Sequence, residues 1–155
     1  MNKRFLDVIS NFEDKLSRLM ACDPMKFGEL PLDMPKCGVY LFSDGDRSLY
    51  VGRSNRLRER YFLHCCPGSR QNQASFAYKL AREDLGIGPP SYLPGSGRAV
   101  LAASEDFQVS FNTAKKRIRT MNFRYVAEED QPRQALLEAY CAIALRTPYN
   151  DFETH

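Results

Sequence analysis

The chain has 155 residues, 43% of them hydrophobic and 26% charged, and a formal net charge of +3. That length suits one domain with one proper core, and the proportions are those of a soluble globular protein. No apolar run reaches membrane-spanning length, and acids interrupt the first apolar stretch, so neither a membrane span nor a signal peptide is expected and the expected location is the cytoplasm.

Taken in order, Phe5, Val8, Ile9, Phe12, Leu16, Leu19 and Met20 recur at helical spacing, predicting an amphipathic helix over residues 3–21 packed on the core. A proline-punctuated connector, DPMKFGELPLDMPK, follows. GVYLF and SLYVG are β-prone runs around SDGDR, whose Asp-Gly predicts a hairpin. Ser54 and Asn55 can cap a helix running to about residue 65. CPGSRQNQ reads as a loop, SFAYKLARED as a helix and GIGPPSYLPGSG as a turn-rich loop. A basic helix is expected over 105–120 with Phe107, Phe111 and Ile118 inward, then a third strand in MNFRYVAEE. Pro132 near its start marks a last helix to about Leu145, ended by TPYN. The predicted class is α+β, with a small three-stranded, mainly antiparallel sheet flanked by helices.

Cys22, Cys37, Cys65, Cys66 and Cys141 form no CxxC pair, and an odd count argues against a disulfide framework. His64-Cys65-Cys66 has poor zinc-ligand spacing, and the only other histidine is His155. Charge is unevenly spread. Residues 53–70 carry five arginines against Glu59, and residues 115–124 carry Lys115, Lys116, Arg117, Arg119 and Arg124 against no acid. Two basic patches on a nearly neutral chain point to a polyanion surface, although charge runs are usually solvated faces.

Three groups carry chemistry. Arg53, Arg56, Arg60 and His64 fall on one helical face, suited either to gripping a phosphate or to plain solvation. Glu138 is the sole charge in LLEAYCAIAL, a helix expected to be largely buried, so it needs a partner: an arginine such as Arg60, a raised pKa, or a metal ion. Tyr40 and Tyr50 sit at mirrored glycines in the hairpin, where a tyrosine either packs or relays a proton.

In this order the residues resemble the GIY-YIG nuclease domain. Gly38-Val39-Tyr40 stands for the first motif and Tyr50-Val51-Gly52 for the second. Arg60 matches the family's helix arginine, and His64 a position that is histidine or tyrosine among members. Glu138 matches the metal-binding glutamate, Asn150 of PYN the closing asparagine, and Arg53 a position that often carries lysine. The resemblance covers roughly residues 36–151, dividing the chain into an N-terminal helix and connector (1–35) and a nuclease domain (36–155) with an insertion at about 86–120.

The resemblance implies an endonuclease that hydrolyses DNA phosphodiesters with one divalent cation, Mg²⁺ or Mn²⁺, held by Glu138. Tyr40 would act as general base, its phenol acidified by Arg60 and its neighbours. Tyr50 and His64 would orient water, and Arg60 with Arg53 would stabilise transition-state charge. Arg53, Arg56, Lys115, Lys116, Arg117 and Arg119, with the loop 86–99, would contact duplex DNA. Double-strand cleavage would require a homodimer or sequential nicking. A restriction-like or stand-alone role is expected, with a repair or structure-specific nuclease as a variant. The competing readings are a non-catalytic nucleic-acid-binding module on the same fold and an enzyme that binds a phosphorylated small molecule, the latter weakened by the lack of a glycine-rich phosphate loop.

Overall fold

A computed structural model describes residues 1–87 and 104–152. Most of the predicted loop 86–99, the first part of the expected insertion and His155 lie outside the described residues. The chain divides into two compact units: Met1–Glu59 with Met121–Asn150, and Arg60–Thr120 with the residues from 151 on.

The first unit is built on a three-stranded antiparallel sheet of order β2-β1-β3, with β1 at Gly38–Asp44, β2 at Arg47–Ser54 and β3 at Asn122–Ala127. β1 lies in the centre, so both its faces are covered and GVYLFS reads as a continuous buried run. Asp44 pairs with Arg47 across a two-residue turn in which only Gly45 has positive φ, +58°; a glycine-first hairpin turn requires that conformation. The register slips between Phe42 and Ser43, leaving Leu49 as an extra residue in β2 directly before Tyr50.

Side-chain alternation gives the two sheet faces different work. On one, Val39, Leu41, Val51 and Val126 meet Phe12 and Leu19 of helix α2 (Phe12–Ala21) and Leu137, Cys141 and Ala142 of helix α6 (Gln131–Leu145). On the other, Tyr40, Phe42 and Phe123 pack ring to ring, with centroids 5.1–5.8 Å apart.

Two expectations about helices need correction. The single helix predicted over 3–21 is two, α1 (Lys3–Ile9) and α2, because Ser10 Oγ turns back to the Asp7 carbonyl at 2.9 Å and the Asn11 carbonyl starts a new ladder at Lys15. Nor is the last helix largely buried. Pro132 lies in the first turn of α6, as the sequence predicts, and Asp130 caps the helix by accepting from Arg133 N–H. Only Gln134, Leu137, Cys141 and Ala142 are buried, because a single side meets the sheet, and Ile143 is 66% exposed.

Helix α3 (Leu57–Cys65) carries the chain into the second unit. There α4 (Ser75–Asp84) packs on α5 (Glu105–Arg119) through the Tyr78 and Phe107 rings at 5.5 Å and a Ser110–Asp84 hydrogen bond of 2.8 Å. Phe107, Phe111 and Ile118 are buried, as their spacing predicts. Among the described residues no helix is long and apolar enough to cross a membrane.

Candidate functional site

Three consecutive residues of the edge strand β2, Val51, Gly52 and Arg53, each receive one partner from elsewhere in the first unit. The middle contact is steric. Gly52 pairs with Tyr40 across the hairpin, and the Tyr40 ring lies over it so closely that a Cβ on Gly52 would overlap the phenol oxygen and its ring carbons. Tyr40 is 2% exposed, and its ring sits 6.4 Å from that of the half-buried Tyr50 on the same sheet face. Gly38 is required for a related reason, since a Cβ there would run into the Val126 carbonyl of β3. The two motif glycines thus let a neighbouring strand and a neighbouring phenol approach.

The contact to Val51 is a clamp. Asn150 Oδ1 accepts from Val51 N–H, and Asn150 Nδ2 donates to the Val51 carbonyl, both at 2.8 Å. Thr147 Oγ1 donates to the same Oδ1 at 2.7 Å, and Tyr149 N–H donates to the Leu49 carbonyl at 3.2 Å. The side-chain amide thus stands in for the strand that an edge lacks, fixing the backbone between Tyr50 and Gly52.

The third contact is the ion pair Arg53 Nε–Glu138 Oε2 at 2.8 Å, with side chains 42% and 29% exposed. Arg53 pairs across from Val39, so it shares the α6 side of the sheet, opposite the two tyrosines. An amide cluster seats the start of α6: Asn55 and Gln131 exchange hydrogen bonds of 3.2 and 2.6 Å, and Gln134 Nε2 donates to Asn55 Oδ1 and to the Glu128 carbonyl. Sequence reasoning missed this cluster. The only signal was two glutamines three residues apart in the first turn of a helix.

Arg53 is therefore a partner of Glu138. Its carboxylate offers few protein donors to a cation, and among the described residues no three His, Cys, Asp or Glu side chains gather as a cage. The partly exposed Glu138 carboxylate could take one position of a divalent ion whose other ligands are water and phosphate oxygens.

The single arginine face does not form. α3 begins at Leu57, so Arg53 is a strand residue and Arg56 precedes the helix. Ser54 Oγ accepts from Arg56 N–H at 2.9 Å, and Arg56 pairs with Glu59 at 3.3 Å. Leu57 and Tyr61 are buried. Arg60 and His64 belong to the second unit, where His64 is 1% exposed. Burial, reinforced by the Arg60 charge, lowers the His64 pKa to about 3, so the ring is neutral at pH 7.

Two of the four basic residues on α5 are engaged within their unit. Lys115 is buried, donating to the Ser69 carbonyl at 2.9 Å and to Ser69 Oγ at 3.2 Å, with its ammonium 4.3 Å from the Phe111 ring centre; burial lowers its pKa. Arg119 Nε donates to the Cys65 carbonyl at 2.6 Å. Lys116 and Arg117 are exposed. All five cysteines are free, and burial pushes the Cys65 and Cys141 thiols up to about 12. No protein-family model, curated protein or solved structure matches the chain.

Proposed function

We propose that the protein is a metal-dependent endonuclease of the GIY-YIG kind that hydrolyses phosphodiester bonds in DNA. The observation that carries the reading is the convergence on Val51-Gly52-Arg53 of Asn150, Tyr40 and Glu138, three residues that share no sequence neighbourhood. The motif glycines and asparagine have roles that a chance match would not require: Gly52 admits the Tyr40 ring, Gly38 admits the Val126 carbonyl, and Asn150 holds the edge strand beside Tyr50.

In this reading a phosphodiester lies along β2 beyond the Asn150 clamp. Tyr40 takes the proton of the attacking water, and Tyr50 orients it. The resemblance gives Arg53 the charge that develops on the phosphate and Glu138 the cation; the two are paired with each other on the α6 side of the sheet, so the cation would have to compete with Arg53 for the carboxylate. When bound, Mg²⁺ or Mn²⁺ supplies Lewis-acid polarisation of the phosphate and leaving oxygen. The resemblance assigns Arg60 to transition-state charge and His64 to water orientation, and a ring neutral at pH 7 would serve as a hydrogen-bonding group. Contact with the duplex falls to Lys116 and Arg117, with Arg56, whose side chain is exposed; Lys115 is already bonded inside its unit.

The Arg53–Glu138 pair also favours a second reading, a non-catalytic nucleic-acid-binding module, because a glutamate satisfied by an arginine needs no metal. Cleavage of supercoiled plasmid with Mg²⁺, compared with EDTA and with Glu138→Gln, separates the two. Nicked or linear product that disappears in both controls supports the nuclease. DNA binding without product supports the module. Discrete fragments would indicate a restriction-like enzyme, and product on branched DNA alone a structure-specific one.

A further inference from the structure

The chain passes from β2 into α3 through Asn55 and Arg56, and the connector that precedes β1 runs beside this turn. Leu57 N–H donates to the Lys36 carbonyl at 2.9 Å, which ties the two segments together. Where they meet, the first unit has a cavity of about 210 Å³. Lys36, Arg56 and Arg58 line it with Glu59, three cations against one carboxylate, and Met34 and Leu57 add apolar surface. None of Tyr40, Tyr50, Arg53 and Glu138 lines it, so the cavity is separate from the site where cleavage is proposed.

The three cations are only partly committed. Arg58 Nη2 donates to the Pro31 carbonyl, which anchors the guanidinium and uses one of its five N–H donors. The Arg56–Glu59 pair, at 3.3 Å, has side chains 71% and 66% exposed, so water screens it and it holds Arg56 weakly. Lys36 is exposed, and among the described residues it makes no ion pair. Lys36 lies 20 positions before Arg56, so the fold, and not a run of charge, brings it to the cavity. Arginine forks pair bidentately with phosphate oxygens and a lysine adds a point charge, so the set suits a phosphate group. Arg58 is also an electrostatic neighbour of Tyr125, the β3 residue paired with Tyr40, which puts it towards the tyrosine side of the sheet.

We infer that this cavity is a second phosphate subsite, holding a backbone phosphate of the DNA strand away from the scissile one. The identity of the ligand rests on the nuclease reading; the presence of the subsite does not. NMR of the arginine Nε and backbone resonances of the full chain tests it, during titration with inorganic phosphate and with sodium chloride at matched ionic strength. The expected result is a saturable response at Arg56 to phosphate alone, weakened severalfold in Lys36→Gln and lost in Lys36→Gln/Arg58→Gln, with circular dichroism to verify folding. On a short duplex the double variant should lower the salt slope of log K by about 0.9, the value for one phosphate no longer neutralised. A response to phosphate no greater than that to chloride would overturn the inference. So would phosphate binding without DNA binding, or with an unchanged salt slope, since either would make the ligand a free phosphate or a phosphorylated small molecule. Neither readout depends on cleavage. A chain that binds DNA through this cavity and never cuts it fails the nuclease reading and keeps the subsite, whereas a nuclease whose double variant retains the wild-type slope does the reverse.

Discussion

Gly52 occupies space already filled by the Tyr40 ring, so its role can be tested without reference to chemistry. Gly52→Ala should lower stability by about 1–3 kcal/mol in urea denaturation, the usual range for overpacking. Tyr40→Phe should not rescue it, because the ring carbons as well as the hydroxyl overlap the new methyl group. An unchanged midpoint would refute the close approach. Asn150→Ala removes both bonds to the Val51 backbone and should cost about 1–3 kcal/mol, with faster hydrogen exchange at the Val51 amide. His64 gives a pH prediction. Its folded pKa, about 3, lies below the ordinary 6.5, so between those values the unfolded chain holds a proton that the folded chain lacks. Stability should therefore fall as pH drops below 6.5, by about 1.4 kcal/mol per unit from this group, and His64→Phe should flatten the curve. Equal slopes in the two proteins would mean that the ring titrates normally. The motif residues were legible in the sequence by order and type, but the reason for each glycine was not. It depends on register, which brings Val126 to Gly38 and Tyr40 to Gly52 across 88 and 12 positions.

Helix and strand existence followed from periodicity, and helix ends and burial did not always. The hairpin, α4, α5 and β3 lie where alternation and turn residues predict them. The break between α1 and α2 is invisible to apolar spacing, since Ser10 and Asn11 continue the pattern while their polar groups redirect the backbone. The proposed arginine face assumed a helix running through Arg53, but that residue is the seventh of an eight-residue strand, and the change of period removes it from the face. Placing Arg53 in β2 also makes it the partner of Glu138, for which Arg60 had been the sequence-based candidate. That pair is open to a double-mutant cycle. With both side chains partly exposed, the coupling to stability should be about 0.2–1 kcal/mol. If Glu138 acts in catalysis, Glu138→Gln should nevertheless reduce cleavage by orders of magnitude. A large drop in stability with little change in rate would make the pair structural.

For the molecule as a whole, the modest net charge of +3 conceals basic side chains of two kinds. Lys115 and Arg119 stabilise their own unit, whereas Lys116 and Arg117 face solvent, a division that sequence could not make because all four lie in one run. Replacing Lys116 and Arg117 with alanine should weaken duplex binding regardless of sequence. It should also reduce the salt slope of log K by about 0.9 for each phosphate that the variant no longer neutralises. An unchanged slope would move the interface elsewhere. The central claim is that Glu138, held at β2 by Arg53, serves a metal-dependent phosphodiesterase. The most direct measurement is the rate of supercoiled plasmid nicking by the wild-type chain and by Glu138→Gln across a Mg²⁺ titration, with the fold of both verified by denaturation. The account predicts a wild-type rate that rises with Mg²⁺ and vanishes in EDTA, and no measurable rate for a folded Glu138→Gln. A folded Glu138→Gln that cuts as fast as wild type, or a wild-type chain that binds DNA and never cuts it, would contradict it.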